Sequence, residues 1–331
     1  MYIIENYATA VLFCIITMIS WGSSSNTQKL VSSAWRVEFF CWDYAVGILV
    51  TALVFALTMG SYGVEGRSFI VDIQQADFKS ISSALFGGVI FNVANILFIA
   101  AVSIAGISVA FSVGSGLALV IGVIVNYLDV PIGNVTLIFS GVFLIVLAIL
   151  LNALAYKRMP DVVASGSTKG LLISISSGIL MGLFFKYVAN SMFLNFKIPV
   201  EGKLSPYSAT FVFASGVFLS NIFSNTFIMF KPFVGTPVVV TDYFKGSIKD
   251  HLLGILGGAI WCIGMCFSII ASEKAGTAIS YGLASGAIGV ASIWGIYFWK
   301  EFKNAPKGTS FLLNMMLLSF FAGLALIVIS R

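Results

Sequence analysis

Residues 87–128 read GGVIFNVANILFIAAVSIAGISVAFSVGSGLALVIGVIVNYL, and residues 257–298 read GGAIWCIGMCFSIIASEKAGTAISYGLASGAIGVASIWGIYF. Shifting the chain by 170 residues lays one on the other without a gap and brings eleven identical residues into register. Gly87-Gly88 meets Gly257-Gly258, Ala105-Gly106 meets Ala275-Gly276, Ser115-Gly116 meets Ser285-Gly286, and Tyr127 meets Tyr297. Ile90/Ile260, Ile99/Ile269, Ala101/Ala271 and Val120/Val290 complete the set. Shared hydrophobic composition alone does not align glycine pairs in this way. The chain is therefore read as an internal repeat, and each copy of the quoted stretch is long enough for two membrane crossings.

The rest of the sequence extends this reading. Of 331 residues, 59% are hydrophobic and 9% charged, with a mean hydropathy of +1.03. A soluble domain carries about 25% charged residues, so an ordinary soluble protein is excluded. Thirty Phe, seven Pro and four Cys likewise exclude disorder, collagen and a disulfide scaffold. At about 20 apolar residues per crossing, ten stretches qualify: 7–28, 39–60, 80–102, 107–127, 134–155, 169–191, 207–230, 251–272, 276–298 and 310–329. Tyr7, Tyr127, Tyr156, Tyr207 and Trp299 stand near their ends, as interfacial aromatic belts do. The segments lack the alternating polarity of barrel strands. The expected fold is an all-α polytopic membrane protein with ten transmembrane helices. Its first five-helix repeat spans residues 1–158 and its second spans 159–331. Five is odd, so the two halves are expected to lie upside down to one another, as in many secondary transporters.

The net charge of +5 reflects topology rather than nucleic-acid binding, since no basic run interleaves with aromatics. Loops 1–2, 3–4, 5–6, 7–8 and 9–10 carry eleven Lys and Arg, against six on the side of the termini. That bias places both termini outside the cytoplasm. The first apolar stretch follows Glu5 rather than a basic cluster and is too long for a signal-peptide core. It is expected to remain as a membrane anchor. The expected setting is a bacterial cell membrane, with lipid as surroundings. Cys14, Cys41, Cys262 and Cys266 have no second ligand pair or His cluster that would make a zinc site, so they read as small packing residues and no metal is expected. Enzyme motifs are absent, His-Glu-x-x-His, Gly-x-Ser-x-Gly and a phosphate loop among them. Catalysis, a cofactor and ATP-driven pumping are therefore not expected. The one histidine, His251, opens a span beside Lys249 and Asp250 and reads as structural.

Small residues at Ser108, Ser112 and Gly116 recur in the repeat as Ala278, Gly282 and Gly286. Such stripes allow helices to approach closely, and they are the candidate packing face between spans four and nine. Polar groups inside apolar spans are the candidates for function. Lys186 is the charge deepest in a span, suited to an anionic or carbonyl-rich solute or to snorkelling. Asp43 is a candidate proton-coupling group or a partner for Arg36. Glu273, Lys274 and Glu301 read as loop or helix-end charges. Asn92 and Asn95 are three apart and read as sharing a face; Asn221, Ser224 and Asn225 do likewise. Amides together with Trp21, Trp261 and Tyr281 suit a neutral, hydrogen-bonding ligand. The candidate binding residues are thus Trp21, Asn92, Asn95, Lys186, Trp261 and Tyr281.

Trp21-Gly22-Ser23, the Gly-Gly openings of spans three and eight, and Glu301 closing span nine resemble the drug/metabolite transporter superfamily. Trp42-Asp43-Tyr44, Asn126-Tyr127-Leu128-Asp129, Pro206-Tyr207-Ser208 and Ile293-Trp294-Gly295-Ile296 are similar to the ureide permease family. Trp21-Gly22-Ser23 and Gly257-Gly258-Ala259-Ile260-Trp261 also resemble bacterial glucose/ribose porters. The resemblance implies a secondary carrier of small polar solutes such as allantoin or uracil-like heterocycles, with protons as the coupling ion. It also implies family-patterned places for Asp43, Asn95, Trp294 and Glu301. Two departures stand out. The loop 156–168 is short and lacks the phosphate-loop-like motif of the plant proteins, and Met265 stands opposite Asn95 where the pattern calls for a second Asn. A sugar porter and a drug or metabolite exporter are the alternatives within the superfamily. A non-transporting scaffold or sensor is the alternative outside it, and it would have a packed centre in place of a cavity.

Overall fold

A computed structural model describes residues 1–106, 109–159, 168–233 and 235–331. Among them ten helices are long and apolar enough to cross a membrane: Tyr7–Leu30, Val37–Leu57, Phe78–Ala105, Ser112–Asp129, Val135–Lys157, Thr168–Ser191, Pro206–Phe230, Ile248–Ala275, Thr277–Phe298 and Thr309–Val328. They are spans one to ten. Each expected stretch becomes one span, with ends displaced by a few residues. Asn6, Asp77, Asn134, Ser205 and Ser247 cap spans one, three, five, seven and eight through their side-chain oxygens. Each satisfies a backbone N–H that would otherwise be unpaired at the membrane surface.

Packing follows the repeat. Span three lies against spans six and seven, and span eight lies against spans one and two. Span four contacts six, span nine contacts one, span five pairs with ten and span two with seven. The glycine pairs explain these crossings. A Cβ at Gly88 would run into the Phe213 carbonyl of span seven, and one at Gly258 would run into the Tyr44 carbonyl of span two. Gly216 and Gly47 face back in the same way onto Leu85 and Ile255. Backbone meets backbone at both crossings, and no side chain fits between them.

Two further groups of matched residues sit at backbone exceptions. Gly106 (φ 84°, ψ 162°) and Gly276 (φ 89°, ψ 147°) make the turns between spans three and four and between spans eight and nine. That conformation is essentially restricted to glycine. The helix of span four is wound as a π-helix over Ala110–Ser115 and becomes α-helical at Gly116. Span nine breaks at Ser285-Gly286 between the helices Thr277–Ala284 and Ala287–Ile293. The matched Ser-Gly pairs therefore mark an irregularity in each half, the kind of feature often found at functional sites.

The small-residue stripe needs correction. Spans four and nine touch at one stripe residue, Gly282, which contacts Val123, and otherwise at Gly122, which lies under the Tyr281 ring, and at Thr277, whose hydroxyl donates to the Asn126 carbonyl at 3.2 Å. A Cβ at Gly116 would meet nothing within 4 Å, and Ser112 donates to the Val109 carbonyl of its own helix. Gly286 faces Met18 and Leu324, while Gly282 stands in ordinary contact with Val123 and Ile327. Ala278 is buried, and Ser108 lies outside the described residues. The stripe divides among several neighbours because spans one and ten also flank span nine.

Candidate functional site: a one-sided cavity

The centre of the bundle is hollow. A cavity of about 720 Å³ is lined by spans one to six, eight and nine. Its mouth carries Lys29, Ser103, Tyr156 and Glu301, so it opens on the side of loops 1–2, 3–4, 5–6 and 9–10. A packed centre, as a scaffold would have, is not what the fold contains.

The inner end is aromatic. Trp21 stacks on Trp261 with ring centroids 5.4 Å apart and planes within 3°, and its indole N–H donates to the Trp261 carbonyl at 3.1 Å. Phe91 packs on Trp261 at 4.3 Å and on Phe184 at 5.2 Å. Tyr281 lies beside Phe184, with its hydroxyl 3.2 Å from the Ala118 carbonyl and 3.1 Å from that of Met181. These rings form a floor that a planar solute can stack on.

Asn95, Ser115, Asn152, Ser177, Ser285 and Ser292 supply the polar wall. Several hydroxyls are already engaged: Ser177 donates to the Ala94 carbonyl, and Ser285 and Ser292 donate to carbonyls of their own helix. Asn152 differs. Its side-chain Oδ1 is buried with no hydrogen-bond partner among the described residues. Leaving a buried acceptor unpaired costs about 1–3 kcal/mol.

At the mouth, Glu301 holds Lys29 through one oxygen and accepts from the Tyr156 hydroxyl through the other. The span-nine indoles reach the polar run of span one: Trp294 donates to Ser23 Oγ at 2.9 Å and Trp299 to Asn26 Oδ1 at 2.6 Å. Glu301 is therefore a cavity-rim carboxylate rather than a loop charge. Lys300, in a left-handed conformation with φ 53°, folds the chain back so that Glu301 N–H bonds the Gly295 carbonyl.

Of the sequence candidates, Trp21, Asn95, Trp261 and Tyr281 line the cavity. Asn92 and Lys186 do not. Asn92 is buried against span seven, where it donates to Ser224 Oγ at 2.9 Å. Three helical residues span 300°, leaving about 60° between two side chains, enough to separate it from Asn95. Lys186 lies on the opposite side of the bundle and pairs with Asp129 at 2.9 Å. Asp43 is buried off the cavity wall. It accepts from the Tyr243 hydroxyl at 2.6 Å and lies 2.9 Å from His251 Nδ1. Arg36, its expected partner, is engaged with Glu38 instead.

The opposite side is sealed. Arg67 pairs with fully buried Asp72 at 2.9 Å, and the other Asp72 oxygen accepts from Ser205 N–H. Asn190 joins Lys186 on Asp129, and Tyr207 and Tyr7 donate to the carbonyls of Tyr2 and Val328.

The family model of the ureide permeases matches residues 40–161 and 150–330. The chain belongs to the ureide permease family. Ureide permease 1 of Arabidopsis thaliana is 24% identical over 390 residues, covering 100% of this chain and 99% of its own length. Ureide permease 2 of the same plant is 22% identical, with the same coverage. Transmembrane protein 144 homolog B of Dictyostelium discoideum is 23% identical over 53% of this chain and 44% of its own length. A crystal structure shares the fold with a TM-score of 0.63 at 12% identity, over 97% of this chain and 96% of that one. Family and fold together make the chain a multi-pass membrane protein of a transporter family.

Proposed function

We propose that this permease is a secondary carrier of a small, neutral, ureide-type heterocycle, working by alternating access between two inverted halves, residues 1–158 and 159–331. The observation that carries the reading is the cavity itself, which is aromatic at its inner end, amide-lined along its wall, open to one side and sealed on the other. A ureide ring presents N–H donors and carbonyl acceptors around a planar core. Asn152 Oδ1 supplies an unpaired acceptor, Asn95 an amide, and Trp21, Trp261 and Phe91 faces for stacking. The exchange of packing partners between the halves supports the inverted arrangement, and the excess of Lys and Arg on the open side supports a cytoplasm-facing cavity. Two carboxylates are the candidates for proton coupling. Glu301 stands at the rim with Lys29 and Tyr156, and Asp43 is held behind the wall by Tyr243 and His251.

The test is uptake of allantoin, uracil and glucose into proteoliposomes, with and without an imposed pH gradient. Allantoin accumulation that rises with the gradient and falls in Glu301→Gln or Asp43→Asn supports the reading. Uptake of glucose alone would replace the ureide assignment with a sugar, and uptake of none would overturn both.

A further inference from the structure

The end of span five and the loop between spans nine and ten gather positive charge that nothing in the bundle answers. Lys157 and Arg158 close span five, and Lys300, Lys303 and Lys307 lie between spans nine and ten. All five are exposed, and none has an ion-pair partner among the described residues. Glu301, the carboxylate of the same loop, is taken by Lys29 and Tyr156. The Tyr156 ring packs on Phe302 with centroids 4.8 Å apart, which folds the loop over the end of span five. Arg158 then reaches the start of span ten. A Cβ at Gly308 would lie 3.3 Å from Arg158 Nη1 and would meet no other neighbour within 4 Å.

This notch stands at the N-terminus of a 20-residue helix. Gly308 is the N-cap and has no side chain to accept a backbone N–H, and the first turn holds no acidic residue. A helix N-terminus presents free N–H donors and partial positive charge, so Arg158 and Lys307 add charge of the same sign to it. Thr309 is an independent mark. It is fully buried, and its hydroxyl has no hydrogen-bond partner among the described residues. Thr309, Leu313 and Met316 share a helix face, and Leu313 and Met316 cluster with Ala155 of span five. The hydroxyl therefore faces the end of span five from which Arg158 comes. An anion would supply acceptors for these donors and charge against these cations. The lipid face of span five indicates what carries the anion. Phe143, Leu147, Leu150 and Leu154 are exposed and stand at i, i+4, i+7 and i+11, one stripe along the helix. Lys157 and Arg158 continue that series, so the apolar stripe ends at cations, in the order of an acyl chain and its phosphate.

We infer that the junction of spans five and ten binds one anionic phospholipid. Its phosphate sits in the Gly308 notch between Arg158 and Lys307, and an acyl chain lies along the stripe from Phe143 to Leu154. The phosphate oxygens accept from the Arg158 guanidinium, from the free N–H groups of the first turn of span ten and from Thr309 at the base of the notch. Through Tyr156, which holds Glu301, the lipid steadies spans five, nine and ten at the rim of the cavity. The inference does not depend on which solute is carried.

The test titrates the delipidated chain in detergent with phosphatidylglycerol, phosphatidylcholine or inorganic phosphate. Native mass spectrometry counts bound lipid, and thermal unfolding reads its effect. One phosphatidylglycerol is expected to be retained at a concentration about tenfold below that needed for phosphatidylcholine, and to raise the melting temperature. Arg158→Gln with Lys307→Gln is expected to remove that preference and leave the melting temperature without lipid unchanged. Lys231→Gln with Lys249→Gln loses the same charge on the same side and is expected to keep it. Thr309→Val and, with every cation in place, Leu154→Gln are each expected to weaken phosphatidylglycerol about threefold. Equal retention of the two lipids would overturn the inference. Equal loss in both double variants would reduce it to diffuse charge and overturn it as well. Stabilisation by inorganic phosphate as large as that by phosphatidylglycerol would replace the lipid with a free anion.

Discussion

Gly22 offers a test of how closely the cavity walls are tied together. It sits on span one between the stacking residue Trp21 and the hydrogen-bonded Ser23. A Cβ placed there would lie 2.5 Å from the Ala287 carbonyl and 2.6 Å from Val290 Cβ on span nine. Ordinary contact begins near 3.4 Å, so Gly22→Ala must find about 0.9 Å against a backbone atom that has no rotamer to yield. Overpacking of this kind costs about 1–3 kcal/mol. Alanine also favours helix over glycine by about 1 kcal/mol, which would mask part of the loss. Gly116→Ala controls for this, because it receives the same propensity gain while its new Cβ meets nothing within 4 Å. The propensity terms cancel between the two variants. Gly22→Ala is therefore expected to be about 1–3 kcal/mol less stable than Gly116→Ala, a 5- to 150-fold difference in the folded-to-unfolded ratio. Unfolding in mixed detergent micelles, titrated with SDS and followed by tryptophan fluorescence, reads this directly. If Gly22→Ala matches or exceeds Gly116→Ala in stability, the span-one to span-nine contact is not the rigid wall argued for here.

Trp21→Ala removes a parallel stack on Trp261 and an indole hydrogen bond. Aromatic pairs contribute about 0.5–1.5 kcal/mol beyond area burial, so the half-saturating solute concentration should rise about 2- to 13-fold in an uptake assay. Lys186→Met and Asp129→Asn should each loosen the sealed side and leave solute affinity from the cavity face unchanged. The double variant should do no more than either alone, because the two groups act as one pair, as limited proteolysis from that side would show. Asp77, outside the spans, has its carboxyl held below the ordinary carboxylate range chiefly by the Ser80 backbone N–H it accepts. A depressed folded-state value contributes stability that is present above the unfolded value and lost as pH falls through the folded one. Asp77→Asn should therefore flatten the acid limb of thermal stability in detergent between about pH 5 and pH 2, and stability unchanged in shape would refute the assignment.

The ten spans were legible because crossing a membrane leaves few options: every backbone polar group must be satisfied within the helix, and only long apolar runs do that. The aromatic and amide residues that line the cavity were legible for a related reason, since Trp21, Asn95, Trp261 and Tyr281 stand inside spans where lipid-facing residues would be aliphatic. Asn92 misled because a shared helix face is wide enough to serve both a cavity and a neighbouring span. Lys186 misled because its depth was counted along its own helix, while the carboxylate that fixes it arrives from the end of span four. Glu301 was visible as a residue but not as a rim group, because one left-handed residue, Lys300, turns it back to the mouth. Asn152 gave no signal beyond being an amide in an apolar run. Its unpaired oxygen exists only once span five is packed into the bundle against spans four, nine and ten.

The residues that the two repeat copies share and those in which they differ divide by task. Gly87-Gly88 and Gly257-Gly258 hold the crossings, Gly106 and Gly276 hold the turns, and Ser115-Gly116 and Ser285-Gly286 mark the irregular helix segments. The matched glycines thus stand where the backbone itself sets the geometry. Several differences fall where side chains meet the cavity or the seam behind it, although Ser115 and Ser285 are shared and both line the cavity: Phe91 against Trp261, Asn95 against Met265, and Ser103 against Glu273. A carrier with two equivalent backbone states needs a frame that reads the same from either half, or one state would be far lower in energy and populated alone. On the function proposed above the solute is a single asymmetric molecule, and a site between two inverted halves grips it well only by breaking that symmetry in its side chains. The matched glycines and the mismatched polar and aromatic pairs meet these two demands in the same pair of hairpins.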